Sequence, residues 1–120
     1  MLKLEELEVY QLAMEIGEEV WNLVDGWNAF AKRTVGEQLV DAADSITANI
    51  SEGYGRFHFK ENRQFCYYSR GSLMETKTFL TKAKNRKLMP EKRFDEMIEK
   101  LKTLHHKLNA YIKSIGRNSK

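Results

Sequence analysis

Apolar residues recur at alternating steps of three and four in four stretches of this chain, each about twenty residues long. That spacing lines one stripe of an α-helix, and each stripe needs another element to bury it. In the first stretch the stripe is Val9, Ala13, Ile16, Val20, Leu23 and Trp27; in the second it is Leu39, Ala43, Ile46, Ile50 and Gly53. The third reads Phe65, Tyr68, Ser72, Thr76, Phe79 and Ala83, and the fourth Phe94, Met97, Leu101, Leu104, Leu108, Tyr111 and Ile115.

The breaks are short: Gly26 with WNAFAKRT, then GYGRFHF, then NRKLMP. With one Pro and seven Gly, little of the chain is suited to turns, and short connections make consecutive helices antiparallel. The expected fold is all-α, an antiparallel up-down-up-down four-helix bundle formed as one domain over residues 1–120. Apolar spacing is lost in SIGRNSK, so the tail is expected to fray from about residue 115.

Residues 49–59, NISEGYGRFHF, hold two glycines, an Arg, a His and three aromatics. A phosphate-cradling loop places its glycines after a strand and before a helix. Here they follow a helix, so the expectation is a helix end, with Gly53 or Gly55 left-handed. Just upstream, Ser45, Asn49, Glu52 and Arg56 fall at steps of four, three and four and so within about 60° around a helix. This polar seam is read as a structural network that sets helix register; a binding cleft with Glu52 and Arg56 meeting a ligand is the alternative.

Charge divides the chain. Residues 1–55 carry three Lys/Arg against eleven Asp/Glu, and residues 56–120 carry seventeen against six. Such a split suits an anionic partner, or two surfaces that attract each other within or between subunits. Arg63, Arg70, Lys77 and Lys84 lie seven apart, which sets all four on one face of the third helix, with Tyr67 on the same side. Together with Arg56 and Lys60 this basic rail fits RNA or another polyanion. The competing readings are a solvated face and a dock for the acidic first helix of a neighbouring subunit, through Glu15, Glu18 and Glu19.

Catalytic and metal chemistry find little support. No Glu-x-x-His occurs, and His58, His105 and His106 are not set with carboxylates at ligand spacing. Cys66 is alone, which excludes a disulfide framework and suits a reducing compartment. No enzyme activity, metal or cofactor is expected. MLKLEELEVY lacks a signal-peptide core and no apolar run reaches the roughly 18 residues of a membrane span, so a cytoplasmic protein without membrane contact is expected.

QLVDAADSITANISEGYGR, followed by KENRQFCYYSRGSLMETKTFLTKA, resembles the bacterial 23S rRNA intervening-sequence proteins, from about Leu7 to Ile112. The specific parts are Ser45, Ile46, Asn49, Ile50, Glu52, Gly53, Gly55 and Arg56, and then Arg70, Gly71, Ser72, Leu73 and Glu75. Many relatives carry a Pro shortly before the second helix, which WNAFAKRTVGEQL lacks, so a longer or differently shaped first connection is expected. The resemblance implies an antiparallel four-helix bundle that assembles as a homopentamer. It also implies kinship with the accessory protein of diversity-generating retroelements, a basic bundle that binds nucleic acid and a reverse transcriptase. The function expected is non-enzymatic: an oligomeric bundle offering a basic face to RNA or another polyanion. The alternative is a scaffold that binds proteins alone.

Overall fold

In the computed structural model, which describes residues 2–117, every regular element is helical. A single 3-10 turn, Leu4–Glu6, precedes α1, Glu8–Asp25. The short α2, Ala29–Ala31, passes through a π-wound turn, Lys32–Gly36, into α3, Glu37–Tyr54. Two long helices follow, α4 over Phe59–Asn85 and α5 over Glu91–Ser114.

The first connection is shorter than the sequence suggested. Only Gly26, Trp27 and Asn28 separate α1 from α2, and the AFAKRT segment is helical. Asn28 explains the start, because its side-chain oxygen accepts the Ala31 N–H at 3.0 Å and caps an otherwise unpaired donor. No residue after it breaks a helix, while Ala31 and Val35 are buried.

Contacts between helices fix their directions. Asp44 lies against Gly17, and Val24 against Gly36, so α1 and α3 run in opposite senses. Ser69 reaches Ile46 while Asn62 and Phe65 lie at Gly53, which makes α3 and α4 antiparallel. Between α4 and α5 the pairs are Arg63 with Ile115, Arg70 with Asn109 and Lys84 with Phe94. Lys107 meets Glu8 and Lys100 meets Glu15 and Glu19, so α5 is antiparallel to α1. Both α1 and α4 pack on α3 and α5. The four long helices therefore form an up-down-up-down bundle about 52 Å long.

The core follows the predicted stripes on α1, α3 and α5, with Ile16, Val20, Leu39, Ile46, Ile50, Leu101, Leu104 and Leu108 all buried. On α4 the stripe is met in part: Ser72, Thr76 and Ala83 are buried as expected, but its rings are not core residues. Cys66, Ser69, Leu73, Thr76, Leu80 and Ala83 face inward, whereas Phe65 and Phe79 are half-buried and Tyr68 is 51% exposed. The cause is the close approach of α3 and α4. A Cβ on Gly53 would lie 2.7 Å from the Asn62 side chain and 3.0 Å from Phe65 Cβ, so no further side chain fits between the helices here, and the Phe65 ring lies at the edge against Arg56.

Helix ends differ from expectation in two ways. Gly55 closes α3 at φ −77°, and among described residues only Lys87 and Gly116 have positive φ, so neither glycine of GYG is left-handed. The left-handed stop belongs to α4: Lys87 sits at φ 61° while the Leu88 N–H donates to the Ala83 carbonyl at 2.9 Å. At the other terminus α5 ends at Ser114 as its apolar spacing fades, yet Ile115 is buried and its carbonyl accepts from Arg63 at 3.1 Å. Gly116 then lies against Phe59. Residues 118–120 of that tail lie outside the described residues.

Candidate functional site

The polar seam runs along α3 and satisfies itself locally. Asn49 donates its amide to the Ser45 carbonyl one turn earlier, at 2.9 Å. Arg56 meets Glu52 at 2.7 Å and Glu61 at 3.7 Å, and its guanidinium lies 4.8 Å from the centre of the Phe65 ring. Ser45 and Asn49 are half-buried, while Glu52 and Arg56 are exposed. Where α3 meets α4, the buried side-chain hydrogen bond comes from Ser69, which sequence reasoning passed over because Ser is a weak apolar signal.

The basic rail lies along the α4 edge that borders α5. Arg63 donates to the Ile115 carbonyl, Arg70 donates to Asn109 Oδ1 at 2.8 Å, and Lys84 Nζ sits 4.5 Å from the centre of the Phe94 ring. Lys77 and Lys60 are exposed. The partners of Arg63, Arg70 and Lys84 are a carbonyl, an amide and a ring, all neutral. Among the described residues none of Lys60, Arg63, Arg70, Lys77 and Lys84 pairs with a carboxylate within 4.0 Å. Their positive charge is therefore held in place without being neutralised.

The cations of α5 behave differently. Lys107 meets Glu8 at 2.8 Å, Lys100 meets both Glu15 and Glu19 at 2.8 Å, and Arg93 meets Glu19 at 3.3 Å. Hydrogen bonding to Lys107 lowers the Glu8 pKa, and hydrogen bonds to Glu15 and then Glu19 raise that of Lys100. Much of the charge split read from the sequence is thus spent inside one chain, between α1 and α5. Glu15 and Glu19 pair within the chain, whereas Glu18 forms no ion pair among the described residues.

Aromatic side chains surround the start of the rail. Phe57 is 91% exposed and meets His58 edge-on at 5.0 Å, while Arg70 lies 5.1 Å from the centre of the exposed Tyr67 ring. Cys66 is fully buried beside Asn62, and burial pushes its thiol up to about 11, so it is not a thiolate nucleophile at neutral pH. Among the described residues no group of three or more His, Cys, Asp or Glu is placed to hold a metal, and no helix is long and apolar enough to cross a membrane.

Comparison with known proteins places this geometry in a family. Residues 5–110 match the family model described as 23S rRNA-intervening sequence protein. Among curated proteins none matches. A crystal structure of a protein of unknown function from the S23 ribosomal protein family of Bacteroides thetaiotaomicron superposes with a TM-score of 0.79 at 16% identity, covering 88% of this chain and 99% of that one. That likeness establishes the shared helical fold, and the family match covers most of the chain, reaching into all four long helices. The chain belongs to the 23S rRNA-intervening sequence protein family.

Proposed function

We propose that this protein is a non-catalytic helical module that binds RNA or a similar polyanion along the α4 edge. One observation carries the reading: the cations of that edge are anchored by neutral partners, while those of α5 facing α1 are neutralised by carboxylates. Residues 59–90 carry eight Lys/Arg against two Asp/Glu. From Arg63 to Lys84 the rail extends about 31 Å at the helical rise, long enough to follow several phosphates. The seam of Ser45, Asn49, Glu52 and Arg56 serves α3 and its following turn in this reading, and takes no substrate. The single buried thiol accords with a cytoplasmic setting.

Self-association is part of the proposal, with the five subunits that the resemblance implies. A scaffold without nucleic acid is the second reading, and Trp21 favours it. This ring is 58% exposed on acidic α1, beside a cavity of about 230 Å³ lined with Val24 and Val40, three carboxylates, Asp25, Glu37 and Asp41, and one cation, Lys32. That surface is opposite in sign to α4, as docking between copies requires.

Binding of the purified chain to RNA across a salt series separates the readings. Polyanion binding predicts affinity that falls steeply as salt rises. Absence of binding at low ionic strength contradicts it and leaves the scaffold.

A further inference from the structure

Gly71 stands near the middle of α4, where glycine costs roughly 0.5–1 kcal/mol relative to Ala. Three other glycines of the fold have a packing reason. A Cβ at Gly17, Gly36 or Gly53 would come within 3.2 Å of a neighbouring atom, but a Cβ at Gly71 would meet nothing within 4 Å. The fold gains nothing from the missing side chain. Bare helix backbone of this kind is open to close approach by a group outside the chain.

The surroundings indicate which group. Lys60, Arg63, Tyr67, Gly71, Met74 and Thr78 follow one another at steps of three and four, so they form one face of α4. Tyr67 and Met74 are exposed on it, and Tyr68 is exposed at its side. Arg70 is fixed by Asn109 and lies against the Tyr67 ring, so the ring is supported from within the protein and open outward. Arg70 and Lys77, without carboxylate partners, border the strip on the side toward α5, and exposed Glu75 borders it on the other.

We propose that this strip holds a single strand of nucleic acid, with its sugar–phosphate backbone crossing Gly71 and bases stacking on Tyr67 and Tyr68. The inference rests on the polyanion reading above and narrows it. Exposed rings on a convex helix face meet the flat side of a base only when that base is unstacked, as in a single strand; a duplex offers phosphates alone. Nucleic acid is the occupant argued for, because Lys60, Arg63, Arg70 and Lys77 lie along the helix before and after the rings without carboxylate partners; acidic α1 of a second copy is the competing occupant that the test separates.

The test is fluorescence anisotropy with one labelled oligonucleotide as single-stranded RNA, as single-stranded DNA and as RNA duplex, measured for wild type, Tyr67→Leu and Gly71→Leu. Single strands should bind more tightly than the duplex. Tyr67→Leu should weaken single-strand binding about fivefold or more, the loss expected for one base stack, and leave the duplex unchanged. Gly71→Leu has room in the free protein, so it should keep or raise the melting temperature and still weaken single-strand binding. Equal RNA and DNA affinities would assign the strip to either strand, and a preference for RNA would add recognition of its 2′-hydroxyl; both support the proposal. Equal strand and duplex affinities, unmoved by either substitution, would overturn it while the electrostatic reading stands. Absence of salt-sensitive binding to any of the three would overturn both. A Gly71→Leu protein with unchanged RNA binding but altered mass by light scattering would assign the face to contact between copies and overturn the proposal.

Discussion

Ser69 of α4 donates its hydroxyl to the carbonyl of Ile46 on α3 across 2.8 Å, and both residues are fully buried. A carbonyl has two lone pairs, so this bond adds to helix hydrogen bonding and ties two helices at one register. Ser69→Ala should cost about 0.5–1.5 kcal/mol, the usual net value of such a bond. Ser69→Val should cost more, because it also inserts volume at a fully buried position between α3 and α4. Denaturant midpoints of the two variants would check the order.

Gly53 and Gly55 should respond differently to the same substitution. A Cβ at Gly53 would lie 2.8 Å from the Asn62 carbonyl oxygen, which backbone cannot easily yield, whereas at Gly55 the nearest atoms are 3.7 Å away. Gly53→Ala should therefore destabilise by roughly 1–3 kcal/mol. Gly55→Ala, at an ordinary right-handed φ, should be neutral or stabilising by about 0.4–1 kcal/mol. Thermal melts that moved equally would return both glycines to a simple role in ending the helix.

Asp44 carries a pH-dependent cost. Burial raises its pKa, with Glu18 and Asp41 adding repulsion. A carboxyl whose folded pKa is raised favours the protonated form, so its ionisation lowers stability as pH climbs through the ordinary carboxylate range and past the raised value. Asp44→Asn should raise the melting temperature at neutral pH, by an amount worth less than about 1 kcal/mol for so exposed a group. The advantage should vanish in acid below the unfolded pKa, and melts at the two pH values would show it.

Helix number, order and direction were legible because the apolar spacing of α1, α3 and α5 is carried by Val, Ile and Leu. On α4 the stripe was legible at Ser72, Thr76 and Ala83, which are buried, and misleading at its rings: Phe65, Tyr68 and Phe79 are the larger hydrophobic signal, yet Cys66, Ser69, Leu73 and Leu80 fill the core instead. The AFAKRT helix was missed because it lacks a long apolar stripe and depends on the Asn28 cap. The rail residues were found from spacing alone. Their neutral partners Ile115, Asn109 and Phe94 were not, since those lie some ten to fifty residues away in sequence and meet α4 only after α5 folds back.

The central claim is that phosphates meet the un-neutralised cations of α4, and the salt dependence of RNA binding tests it most directly. Lys60 and Lys77 are exposed and form no ion pair among the described residues, so Lys60→Gln/Lys77→Gln leaves the fold intact. Wild type should show a steep linear fall of log affinity with log salt, and the double variant should flatten that slope by about 1.4, or 0.7 for each lost single-strand phosphate contact. Identical slopes for the two proteins, or no salt-sensitive binding by wild type, would contradict the account.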